Sequence, residues 1–164
     1  MLISVSRDFF GERLQNVQTR IATTLERLSD EDINWRPNAE SNSIANLVVH
    51  LKGNFHERLE ATMAGQANRR LRNQEFDETL YRNQQELIRI WHEVCKNNQK
   101  FVNKLTTNML SSLYPLRNHQ IKGDELLLRV LTHAAEHTGQ ILYIAKLRKA
   151  QDWQILSIPK PQKK

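Results

Sequence analysis

At 164 residues the chain has the size of one domain, enough to hide about two thirds of its unfolded surface in a single core without help from a disulfide or a cofactor. Its one cysteine, Cys95, excludes an intrachain bridge and fits a reducing cytoplasm, and no apolar run approaches the roughly 20 residues that a membrane span needs. The formal charge of +6, from 24 Lys and Arg against 18 Asp and Glu, favours anionic partners without naming one.

In chain order, Phe10, Leu14, Val17, Ile21, Leu25 and Leu28 recur at spacings of three or four, which predicts a first amphipathic helix ending where Ser29, Asp30 and Asp32 begin a polar turn. Trp35 and Pro37 fall in the linker, with Pro37 disfavouring helix at Arg36; an aromatic placed there packs over a bundle end or walls a pocket. A second helix starts at Ser41 or Ser43, buries Ile44, Leu47, Val48, Leu51, Phe55 and Leu59, and stops after Met63 at Gly65. Residues 66–78 are polar and aperiodic and read as a long connection lying across the bundle. Its Arg69, Arg70 and Arg72 read as solubilising charge, since no nucleic-acid motif or aromatic-basic platform accompanies them.

A third helix, from about Thr79 to Leu105, carries Leu87, Ile88, Trp91, Val94 and Phe101, with Cys95 among them as a small buried hydrophobe. Pro115 interrupts the connection over 106–123. Asp124 then caps a fourth helix reaching Lys149. Four amphipathic helices with no alternating strand pattern bury their apolar faces against one another. They predict an all-α, antiparallel four-helix bundle over 1–150, its long connections leaving room for crossovers, and a basic extension over 151–164 containing Lys160, Lys163 and Lys164.

The fourth helix has a second property. Its stripe of Leu126, Val130, His133, His137, Ile141 and Ile144 places two histidines four apart at core-like positions. Each ring brings two nitrogens that need partners, so the pair is either a set of core histidines satisfied by backbone or water, or a clip for a metal. A third ligand would come from His50, His56, His92 or His119, and helical periodicity favours His50, beside Leu47 and Leu51. Asn54 and Gln140 lie within a turn of those histidines. Arg58, one turn further, is either a surface arginine or a cation suited to an anionic substrate group.

The order and spacing of Trp35-Arg36-Pro37, Ser43-Ile44 leading to His50, Gly53-Asn54 with Arg58, and the block from His133 to Ile141 resemble the DinB-like or YfiT-like superfamily of helical-bundle proteins. The resemblance implies a divalent metal held by His50, His133 and His137, most readily zinc or nickel, with iron also compatible with imidazole. It also implies association with low-molecular-weight thiol transfer and homodimerisation. On that basis Asn54, Arg58, Gln140 and Trp35 are candidates for holding substrate or supporting the ligands. The functional expectation is a metal-dependent enzyme acting on a small molecule, such as a thiol S-transferase. The alternatives are a metal-dependent hydrolase and a non-catalytic, metal-stabilised binding protein.

Overall fold

The computed structural model describes residues 6–153, so the basic tail lies outside the described residues. Helix α1 (Arg7–Leu25) opens where the Ser6 hydroxyl accepts the Phe9 N–H at 3.2 Å, satisfying one of the orphan donors of a helix start. Phe10, Leu14, Val17, Ile21 and Leu25 form its buried face. The expected polar turn after it holds a five-residue helix, α2 (Asp30–Asn34), opened by a reciprocal capping box between Ser29 and Asp32. Helix α3 (Ile44–Phe55) is started by a second such box, Ser43 with Asn46.

Beyond Phe55 the α-helix gives way to a π-helical segment, His56–Met63, where the Ala64 N–H reaches back five residues to the Leu59 carbonyl. Phe55, Leu59 and Met63 stay buried through it at a uniform spacing of four, wider than an α-turn. Gly65, at φ 71, ends the segment in the left-handed conformation that glycine adopts without a Cβ clash. After the short helix α4 (Arg72–Glu75), α5 (Gln84–Lys104) begins later than the apolar pattern indicates. The Asp77 carboxylate accepts both the N–H and the hydroxyl of Thr79, at 2.8 and 2.7 Å, and that local turn competes with helix.

Helix α6 (Thr107–Ser111) leads into a hairpin of β1 (Leu113–Leu116) and β2 (His119–Lys122), paired Leu113 with Lys122 and Leu116 with His119. Four-residue strands are too short to show alternation in sequence. The hairpin passes directly into α7 (Gly123–Lys149), whose Asp124 lies inside the first turn and accepts the Glu125 N–H at 2.8 Å. It is therefore not the capping residue; Lys122 holds that position without a side-chain bond.

Four long elements make the bundle: α1, α3 with its π extension, α5 and α7. Helices α1 and α3 each pack on both α5 and α7 and so occupy opposite corners. Gly11 faces Val102, the Trp91 indole N–H donates to the Gln18 carbonyl at 3.0 Å, and the Gln84 amide donates to the Leu25 carbonyl at 2.9 Å, so α1 and α5 run antiparallel. His50 meets His133, while Arg58 shares a cavity wall with Leu126, so α3 and α7 also oppose. The other two neighbouring pairs are parallel. His56 lines one cavity with Val94, Ala64 lines another with Lys100, and Arg148 near the end of α7 reaches Asp32 just past α1. The all-antiparallel expectation is corrected accordingly: the 64–83 connection returns the chain along the bundle before α5 starts, as parallel neighbours require. Among the described residues no helix is long and apolar enough to cross a membrane.

The core is continuous, with Trp91 and Phe55 fully buried and 6.3 Å apart between ring centres. Cys95 packs against it, and burial pushes its thiol up to about 11, so it is a space-filling group rather than a nucleophile. At the α2 end, Asp32 meets Lys149 Nζ at 2.8 Å and Arg148 Nε at 2.9 Å. Burial alone would raise its pKa, but hydrogen bonds from Lys149, Ser29 and Arg148 outweigh it and hold the carboxyl well below the usual range. A depressed carboxylate adds stability above its unfolded pKa of about 3.9 and loses it as pH falls toward the folded value. Asp32→Asn is therefore expected to cost about 2 kcal/mol at pH 7 in urea unfolding, with the difference from wild type shrinking below about pH 4.

Candidate metal centre

The histidines predicted as ligands stand on two facing helices, His50 in α3 and His133 with His137 one turn apart in α7. One ring nitrogen from each lies within 4.8 Å of the others, a grouping able to hold one metal ion. The rings meet edge to face, with interplanar angles of 76°, 80° and 84°. Ala134 and Thr138, which follow His133 and His137 in sequence, are both buried.

Protons on two of the rings are placed by their partners. His50 Nδ1 is 2.9 Å from Glu75 Oε2 and donates to that carboxylate, which leaves the Nε2 lone pair facing the cluster. His137 Nδ1 donates to the Gln140 carbonyl oxygen at 2.8 Å, freeing its own Nε2. With His50 held that way, the 2.8 Å contact between the Nε2 atoms of His50 and His133 is a hydrogen bond donated by His133. Burial lowers the pKa of His50, outweighing the Glu75 hydrogen bond. Burial, then repulsion from His137, His50, Arg70 and Arg58, lowers that of His133 to about 4. Both imidazoles are neutral at pH 7, the form with a lone pair to share.

Glu75 and Arg70, the residues that complete this arrangement, were not anticipated. They sit in the polar stretch assigned to solubilising charge, yet both side chains are buried, at 4% and 6% exposure. The guanidinium grips the carboxylate in bidentate fashion, Nε to Oε1 at 2.7 Å and Nη2 to Oε2 at 2.8 Å, and its Nη1 also binds Glu57. Burial would raise the Glu75 pKa, but hydrogen bonds from Arg70 and His50 keep it below the ordinary value. The segment is strapped to α3 at three more points. The Asn46 amide donates to the carbonyls of Glu75 and Asp77 at 3.0 and 3.1 Å; the Arg69 N–H donates to His56 Nε2 at 3.1 Å; and the Phe76 ring lies 4.9 Å from His50.

Gly53 is the slot that admits this strap. A Cβ there would sit 2.0 Å from Glu75 Oε1 and 3.1 Å from Arg70 Nε. A glycine inside a helix costs about 0.5–1 kcal/mol relative to alanine, and Gly53 was the available sign of a close approach.

The four supporting candidates divide. Asn54 and Arg58 line a cavity of about 480 Å³ together with His133 and Glu136. Gln140 holds His137 instead of lining that cavity. Trp35 packs under the Arg148 guanidinium, 5.4 Å away, eleven residues and roughly 16 Å of helix beyond His137, and is not brought to the cluster.

The fold agrees with what comparison with known proteins shows. A family model described as a protein of unknown function, DUF1572, matches residues 5–162. The chain belongs to the DUF1572 family. No curated protein matches it. Among solved structures it is similar to a DinB-like protein from Bacillus cereus ATCC 10987, with TM-score 0.71 and 12% identity over 90% of this chain and 95% of that one. A conserved protein from Enterococcus faecalis is similar with TM-score 0.74 and 15% identity over 88% and 97% of the two chains. A DinB-like protein from Bacillus subtilis is similar with TM-score 0.70 and 17% identity over 91% and 96%. At such identities the likeness is one of fold: this DUF1572 chain has the DinB-like helical architecture.

Substituting the slot tests the strap. Gly53→Ala is expected to displace Glu75, costing about 1–3 kcal/mol of stability through overpacking. It should also abolish the downfield proton resonance of His50 Nδ1–H in NMR. An unchanged resonance would show that Glu75 does not place that proton.

Proposed function

We propose that this DUF1572 protein is a divalent-metal-dependent enzyme acting on a small molecule, with His50, His133 and His137 as the metal ligands. The observation that carries the proposal is the convergence of three ring nitrogens, with Glu75 and Gln140 bonded to the far sides of two of the rings. A divalent cation bound there supplies a charge that lowers the pKa of a ligated thiol or water. Zinc or nickel suits an all-imidazole donor set best, and iron is also compatible.

The remaining work falls to the chain. To serve as a neutral ligand His133 would take the tautomer with its proton on Nδ1 and its Nε2 lone pair free, while Glu75 keeps His50 from taking the other tautomer. Asn54 and Arg58 face the cavity beside His133 and are placed to orient a substrate. Thiol S-transfer is favoured over hydrolysis because Glu75 is fully engaged by Arg70 and His50 and so is unavailable as a base. A thiol, with pKa about 8.5 against 15.7 for water, needs less help to become a nucleophile. Glu136 shares the cavity with His133 but, among the described residues, makes no hydrogen bond to any of the three imidazoles, which supports a second reading, a non-catalytic binding protein in which the metal only stabilises the bundle. A reducing cytoplasm suits a thiol reaction, and homodimerisation accompanies the proposal as the expected assembly.

Equilibrium dialysis against zinc or nickel should load about one ion per chain, and His133→Ala should lose most of it. Metal-loaded protein should consume a low-molecular-weight thiol in the presence of an epoxide or alkyl halide, and His50→Ala should abolish the reaction with helix content retained. Full metal loading with no turnover across thiols, amides and phosphoesters would favour the non-catalytic reading. Sedimentation at micromolar concentration should give twice the chain mass of 19.3 kDa.

A further inference from the structure

The cavity beside His133 is walled by the end of α3 and its π extension, the β1–β2 hairpin and α7. It holds three guanidiniums, Arg58, Arg117 and Arg129, against one carboxylate, Glu136. Arg58 is mostly buried, its side chain 20% exposed, and its one ion pair among the described residues is a loose 3.7 Å contact with Glu57. The other Glu57 oxygen is already taken by Arg70. Arg117 and Arg129 have no ion pair among the described residues. For the mostly buried Arg58 the lack of a close acceptor is costly, while Arg117 and Arg129 are exposed at the cavity's rim and add their charge to a field that an anion relieves.

The hairpin supplies an independent sign. Arg117 occupies the first position of its two-residue turn at φ 53, a left-handed conformation that glycine adopts freely and that costs other residues of order 1–2 kcal/mol. That strained turn places the Arg117 side chain in the cavity wall, and strained backbone of this kind clusters at ligand sites. Leu116 and Leu128, the latter 51% exposed, add apolar surface to the same walls.

We infer that this cavity binds the anionic group, a carboxylate or phosphate, of a small and partly apolar substrate, seated by Arg58, Arg117 and Arg129 beside His133. The assignment of that anion to a substrate rests on the metal-dependent function proposed above, whereas the anion site itself stands on the arginines alone. Guanidinium forks match both oxyanions in bidentate geometry, so the two sources must be separated by experiment.

Malonate and inorganic phosphate, each at constant ionic strength set with potassium chloride, are titrated into zinc-loaded and zinc-free protein by calorimetry. One or both should bind in both states, and Arg58→Gln, Arg117→Gln and Arg129→Gln should each weaken binding about tenfold, while Arg89→Gln on the exposed side of α5 should not. The tighter probe identifies the anion. Arg117→Gly should lose the same tenfold while melting no lower than wild type, since glycine relieves the turn; this separates binding from folding damage. Equal binding by wild type and all cavity variants, or equal loss in Arg89→Gln, would overturn the inference. So would displacement of the probes by a nucleic-acid duplex with the same arginine dependence, which would make the ligand a polyanion. Wild type that takes up no zinc yet keeps arginine-dependent malonate or phosphate binding would remove the metal-dependent reading and leave the anion site standing.

Discussion

Burying a carboxylate beside an imidazole is expensive unless every oxygen lone pair is occupied, and the arrangement around Glu75 is organised by that requirement. Arg70 takes both oxygens, His50 takes one of them a second time, and Glu57 absorbs the charge left on Arg70. Removing any member leaves another charge stranded away from water, so the set stands or falls together. Its geometric precondition is the absence of a side chain at Gly53, and its backbone anchor is Asn46, which serves both the α3 capping box and the strap. The 66–78 segment is therefore the element that holds one wall of the histidine cluster in place.

Topology explains why such a strap exists. Because α3 and α5 are parallel neighbours, the chain must travel back along the bundle between them, and the return path lies on the outer face of α3 behind His50. A short hairpin loop joining antiparallel helices would offer no residue there. The π-helical segment adds to this, since its wide turn carries Glu57 to Arg70 and His56 to the Arg69 backbone while Leu59 and Met63 remain in the core. Connectivity, in this bundle, determines which polar groups stand behind the histidines.

What was legible in the sequence follows from what periodicity encodes. The stripes of α1, α5 and α7 are local, three- and four-residue repeats, and they placed the long helices and the His133–His137 pair. His50 stood at the margin of its stripe, and only the resemblance singled it out firmly. Arg70 and Glu75 had no signal of that kind: they lie in an aperiodic segment, and the side chains that their own side chains bind besides each other, Glu57 and His50, are 13 and 25 residues away in sequence. The solubilising reading of the loop arginines fails at Arg70 because burial, which decides it, depends on a contact across the fold. Parallel helix order was hidden for the same reason, since amphipathic stripes carry no direction.

The histidine cluster thus has two unlike sides. Behind His50 lies a closed polar set in which each charge is matched, so it holds one tautomer and has nothing left to offer a ligand. Beside His133 the balance is reversed, with guanidiniums in excess over carboxylate around an open cavity. Matched charge gives rigidity and unmatched charge gives affinity, and the two cannot be obtained from the same residues. Arg58 and Arg70, only twelve positions apart and both cationic, differ accordingly: Arg70 is consumed in building the cluster, while Arg58 keeps only a 3.7 Å contact with Glu57 beside the cavity. The strained backbone at Arg117 belongs on the second side, because a turn residue contributing only to folding would be better replaced by glycine.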